Sequence, residues 1–250
     1  MATRLENFFA MKRTYQWLTA LLFSTVTSCS VSPSPPVKPV VPRVVLVHGF
    51  LETGSTYKTL KKRLEKRGYE CLVPRLINTD GRRGLTFLAT HLKKDIDAKF
   101  GPEAPISIVA FSMGGLVSRE YLQNLGGAKR CSQLITVSSP HHGTKAAWLY
   151  PSQGVVEMRP GSRFLAHLHA TQDQLGKMPV ASYRTPLDLV ILPPTSSIWD
   201  RADNLEYPVI LHPMMLTSRP VLDDIERRLD SSKTTSPSAS GRHPSQSKSK

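Results

Sequence analysis

The chain has 250 residues, 40% of them apolar and 7% aromatic, enough for one well-packed globular domain. Its three cysteines cannot make a disulfide framework, and Cys71 and Cys131 have no His or Cys neighbour at metal-ligand spacing. The net charge of +14 would suit nucleic acid, but no recognition motif or aromatic interleaving accompanies it.

The first segment reads as an export signal. Lys12 and Arg13 precede an apolar run, Trp17 to Val26, that is followed by Thr27-Ser28-Cys29. About ten apolar residues are too few for a helix that spans a bilayer. Met11 is the more natural start, because the first ten residues add nothing to such a signal. Val26-Thr27-Ser28-Cys29 resembles a bacterial lipobox, in which the cysteine carries lipid and becomes the new N-terminus. Ser30 to Pro42, with five prolines, would then be a stiff tether. These features predict an exported, membrane-anchored cell-envelope lipoprotein, with anionic membrane surface as partner to its basic body. The alternative is plain signal cleavage and a secreted or periplasmic protein.

From Arg43 onward, apolar strands alternate with amphipathic helices, which predicts an α/β fold with a mostly parallel sheet. Arg43 to His48 is a buried strand. Thr56 to Arg67 is a helix with Tyr57, Leu60 and Leu64 on one face, closed by Gly68. Tyr69 to Leu76 is the second strand and Leu85 to Phe100 the second helix. Ile106 to Phe111 is a strand, Met113 to Leu125 a helix, and Cys131 to Val137 the next strand. Residues 139–177 lack clean periodicity and lie where a cap or lid would insert, with Trp148, Leu149, Tyr150, Phe164 and Leu165 as apolar candidates to face a substrate. Pro179 to Arg184 is a further strand, with Leu187 to Leu192 competing for the role. Pro208 to Leu211 is read as the last strand and Arg219 to Leu229 as the closing helix. Ser231 to Lys250 holds a single apolar side chain, Ala239, and reads as a disordered basic tail.

Chemistry is concentrated at Ala110-Phe111-Ser112-Met113-Gly114. A buried strand that ends in small-x-Ser-x-Gly and enters a helix makes a nucleophile elbow, which lifts the serine hydroxyl above the sheet edge. An activated serine needs a base, and the base needs an orienting carboxylate, in the chain order Ser, acid, His. His212 is the candidate base and Asp188 the candidate acid, with Asp200 and Asp203 as alternatives. Backbone donors for an oxyanion would come from Met113, next to the nucleophile, and from Phe50 in the His48-Gly49-Phe50 loop, with Leu51 as the alternative. His48 props that loop. No cofactor or metal is called for.

Val44 to Phe50, Ala110 to Gly115, and Ser138-Ser139-Pro140-His141-His142-Gly143-Thr144 resemble segments of the α/β-hydrolase lipases and esterases, bacterial secreted triacylglycerol lipases in particular. Leu187 to Ser197 resembles their acid segment and His212-Pro213-Met214-Met215-Leu216 their His-x-x-Met-Leu ending. The resemblance covers Arg43 to Leu229. It implies an α/β-hydrolase fold of about six strands with flanking helices, and a serine hydrolase acting on carboxylic esters. It maps nucleophile, acid and base onto Ser112, Asp188 and His212, and the oxyanion donors onto Phe50 and Met113. Leu211 stands where family members often have Gly before the histidine. The His141 to Thr144 stretch has a structural role in the family, and some members hold a calcium near the acid segment, for which Asp200 and Asp203 would be the carboxylates. The expected substrate is an acyl ester or lipid and the expected state a monomer. An acyltransferase or thioesterase would carry the same triad, and a non-catalytic binding module is the alternative from another class.

Overall fold

The computed structural model describes residues 41–234, with side chains through 231. The signal segment, Cys29, most of the proline-rich tether and the tail from residue 235 lie outside the described residues.

Six parallel strands form one sheet in the order β2-β1-β3-β4-β5-β6. They are β1 (Arg43–Val47), β2 (Glu70–Leu72), β3 (Ile106–Phe111), β4 (Cys131–Val137), β5 (Val180–Arg184) and β6 (Asp203–Glu206). The helices are α1 (Lys58–Lys66), α2 (Leu85–Phe100), α3 (Met113–Asn124), α4 (Gln153–Glu157), α5 (Arg163–Ala170) and α6 (Arg219–Thr234). None of the described helices is long and apolar enough to cross a membrane.

The near-continuous apolar runs of β1 and β3 follow from burial on both faces. Side chains alternate along a strand, so each run feeds two cores. Val45, Val47, Ile108 and Ala110 pack with Leu85, Leu88 and Leu92 of α2 and Leu116 of α3. Val44, Leu46, Val109 and Phe111 pack with Leu60 and Leu64 of α1 and Val221, Leu222 and Ile225 of α6. Buried Tyr57 ties the two central strands together, its hydroxyl reaching the carbonyls of Val47 and Val109 at 3.1 Å each. α1 ends where expected, with Gly68 at φ 82°. Cys71 and Cys131 are free thiols on β2 and β4, which β1 and β3 separate.

Three expectations are corrected. The second strand stops at Leu72, ahead of Pro74. The last strand is the polar edge segment Asp203–Glu206, paired with Ala181 to Arg184, and not Pro208 to Leu211. Pro208 has no N–H to extend that ladder, and beyond it the Val209 amide turns back to the Tyr207 carbonyl at 2.7 Å. The closing helix runs on to Thr234, so the first four residues assigned to the tail are helical. Leu187 to Leu192 forms no strand.

Candidate active site

The site is assembled on loops that leave the C-terminal ends of the strands, the edge where open parallel sheets bind ligands. Between β3 and α3, Ser112 takes φ 53° and ψ −127°. Its amide donates to the Val137 carbonyl at 2.9 Å, and its own carbonyl accepts from Gly115 at 3.0 Å. A Cβ on Gly114 would stand 2.4 Å from the Val47 carbonyl oxygen, which is why only glycine fits two residues after the serine.

His212 opens a short 3-10 turn, His212–Leu216, and its Nδ1 lies 2.7 Å from Asp188 Oδ2. The imidazole also packs on the Phe111 ring, with centroids 4.7 Å apart, so it stands beside the residue that precedes Ser112. Asp188 is buried, and its second oxygen accepts the amides of Val190 and Ile191 at 2.9 Å each. Burial pushes the Asp188 carboxyl up, but the hydrogen bond and charge of His212 and the two amides outweigh it. The net position is below the ordinary carboxylate value. Asp203 belongs to β6 and pairs with Arg228, and Asp200 is exposed. No group of three or more metal-ligating side chains occurs among the described residues.

Of the candidate donors, the Leu51 amide is occupied by the Thr79 carbonyl at 3.0 Å. The amides of Phe50 and Met113 have no acceptor among the described residues. Met113 begins α3, where the first N–H groups find no carbonyl of their own helix. His48 is buried and contacts the Gly49 carbonyl, and burial lowers its pKa.

A cavity of about 270 Å³ opens against Ser112. Apart from Ser112, Thr144 and Tyr150, its lining is apolar. Buried Val155 and Met158 form the inner wall, while Leu149, Tyr150 and Val190 reach solvent at the mouth. Phe50 and Tyr150 meet edge to face there, with centroids 5.3 Å apart. Within residues 139–177, Leu149 and Tyr150 face the cavity, Trp148 is 64% exposed, and Leu165 is core.

Much of that segment is bonded to the body. The Gly154 amide donates to Gly81 (2.8 Å), Ser152 Oγ to the Asp80 carbonyl (2.6 Å), and the Leu85 amide at the start of α2 to Glu157 (2.6 Å). Thr144, from the His-His-Gly-Thr stretch, holds the acid loop. Its hydroxyl donates to the Val190 carbonyl at 2.7 Å and accepts the Leu192 amide at 2.9 Å.

Arg119 carried no signal in the sequence beyond being a charge on an apolar helix, yet it is fully buried. It stacks 4.1 Å over Trp199, donates to Gln123 (3.0 Å) and to the Leu168 carbonyl (2.9 Å), and faces His141 Nδ1 (3.3 Å). Burial pulls its pKa down to about 9, which leaves it charged at neutral pH. A guanidinium only donates, so His141 Nδ1 accepts and Nε2 carries the proton toward Thr136 Oγ1, 3.0 Å away. Thr136 in turn donates to Ser182 and Ser182 to the Ser197 carbonyl. His141 is therefore a structural residue, held neutral by burial and by Arg119.

A search of the curated proteins finds no match. Among solved structures, the mature lipase BlEst2 of Bacillus licheniformis superposes with a TM-score of 0.63 at 18% identity, covering 79% of this chain and 96% of that one. A monoacylglycerol lipase of Paleococcus ferrophilus superposes at 0.57 with 14% identity, covering 78% and 95%. A pyrethroid hydrolase of Sphingobium faniae JZ-2 superposes at 0.53 with 14% identity, covering 76% and 97%. At such identities the likeness concerns the fold. The family profile described as alpha/beta hydrolase fold matches residues 42–209, and with the six-stranded parallel sheet and the elbow at Ser112 it places the chain in the α/β-hydrolase family.

Proposed function

We propose that the protein is a serine hydrolase of carboxylic esters. The observation that carries this reading is the 2.7 Å contact between Asp188 and His212, on an imidazole seated against Phe111, the residue that precedes Ser112. Ser112 Oγ attacks the acyl carbonyl while His212 Nε2 takes its proton, and buried Asp188 holds the imidazole and its positive charge. The amides of Phe50 and Met113, without acceptors among the described residues, receive the oxyanion, each contributing roughly 3 kcal/mol to the transition state. His212 then returns the proton to the leaving alcohol, and water releases the acyl group by the same steps in reverse. The acyl chain lies in the apolar cavity, whose 270 Å³ suits a short or medium chain. Attachment to a membrane through Cys29 belongs to the same proposal; Cys29→Ala should move the protein from the membrane fraction to the soluble one.

The test is labelling by a fluorophosphonate together with hydrolysis of a p-nitrophenyl acyl ester. Both are expected in the wild type and lost in Ser112→Ala. A folded wild type that neither labels nor hydrolyses the ester would favour a binding module on a hydrolase scaffold.

A further inference from the structure

The loop that follows β1 contains a carboxylate that the triad does not use. Glu52 Oε2 accepts the Gly49 amide at 3.0 Å. Glu52 is half-buried and has no Lys or Arg partner among the described residues, so its defined contact is with the backbone of this loop. Gly49 lies directly against the nucleophile. A Cβ placed on it would come within 3.0 Å of Ser112 Cβ and 3.5 Å of Glu52 Oε2. The carboxylate is therefore held in the loop that packs against the nucleophile.

Its contribution is legible in the neighbouring amides. Gly49 N–H is fixed by Glu52 and Leu51 N–H by the Thr79 carbonyl, with Leu51 held at φ 56°. The Phe50 N–H stands between these two anchored peptides and has no acceptor among the described residues. Glycine is the most freely rotating residue of the chain, so an unanchored Gly49 would let the Phe50 peptide turn away from Ser112. We infer that Glu52 is a positioning residue, which clamps the Gly49 amide so that the Phe50 N–H stays aimed at the oxyanion that forms on the acyl carbonyl when Ser112 attacks. The inference rests on the ester-hydrolase reading. What the clamp requires is an acceptor oxygen and not a charge, and the carboxamide of glutamine supplies one.

The experiment compares wild type, Glu52→Ala and Glu52→Gln by steady-state hydrolysis of a p-nitrophenyl acyl ester, by the rate of fluorophosphonate labelling, and by thermal melting. A lost oxyanion donor costs about 10²–10³ in kcat, and a donor left in place but unaimed should cost at least about tenfold. Glu52→Ala is expected to lower kcat and the labelling rate by that factor with KM little changed. Glu52→Gln should restore both to within about threefold of wild type. Wild-type kcat in Glu52→Ala would overturn the inference while leaving the hydrolase reading intact. So would equal losses in the two variants, or a loss in Glu52→Ala confined to KM and melting temperature. A wild type without Ser112-dependent hydrolysis would overturn the hydrolase reading, and the inference with it.

Discussion

Asp188 and His212 are joined through Nδ1 at 2.7 Å, while the other Asp188 oxygen is occupied by two backbone amides. The carboxylate is thus fixed before any substrate arrives, and it commits Nδ1 to donating and Nε2 to accepting. Asp188→Asn keeps the shape but presents an amide that no longer selects this tautomer. We expect kcat for ester hydrolysis to fall by about 10³–10⁴-fold with KM nearly unchanged, as steady-state kinetics would show. A tenfold loss or less would mean that the imidazole is oriented by something else.

The inner wall of the cavity offers a second test. Met158 is buried and stands with Val155 at the inner wall of the cavity that opens at Ser112. Met158→Ala should shift the best p-nitrophenyl ester toward longer acyl chains, read as kcat/KM across a chain-length series. It should also cost about 2–5 kcal/mol of stability, because the same side chain packs in the core. An unchanged chain-length profile would place the acyl group elsewhere.

Stability should depend on pH through the histidines. His141 is held well below its ordinary pKa of 6.5 by burial, then by Arg119, His142 and His169, and His48 and His169 are lowered as well. In the unfolded chain these rings take up protons near pH 6.5; in the folded one they do not. As pH falls below about 6.5 the unfolded state therefore binds more protons and gains stability relative to the native state. The melting temperature should drop between pH 7 and pH 5, and His141→Gln should flatten that slope. A flat profile in the wild type would contradict the buried neutral histidine.

The central strands and the tight turn at Ser112 were legible in the sequence because each follows from local pattern. Val44 to Val47 and Ile106 to Phe111 are buried on both faces and read as apolar runs. Ala110 and Gly114 announce the tight turn around Ser112, and the close approach of the Val47 carbonyl shows why. β6 was hidden because Asp203–Glu206 is an exposed edge strand without an apolar face. Val209 and Ile210 looked more strand-like, but they follow a proline. Arg119 was illegible for a different reason: apart from Gln123 on its own helix, its partners His141, Leu168 and Trp199 come from elements 22 or more residues away. The roles of Glu52 and Thr144 likewise depend on which amides and carbonyls the loops bring beside them.

The backbone of Ser112 has one more consequence. A residue with a Cβ held at φ 53° and ψ −127° costs about 1–3 kcal/mol, and here the surrounding sheet and helix impose it. Glycine adopts that conformation without strain, though it loses about 0.5–1 kcal/mol of chain entropy on folding. Ser112→Gly should therefore melt at a higher temperature than Ser112→Ala, both being inactive, because only the glycine variant relaxes the turn. In that sense the elbow is a trade between durability and reactivity. The fold would be sturdier with no side chain at position 112, and it keeps a hydroxyl there at a standing cost in stability.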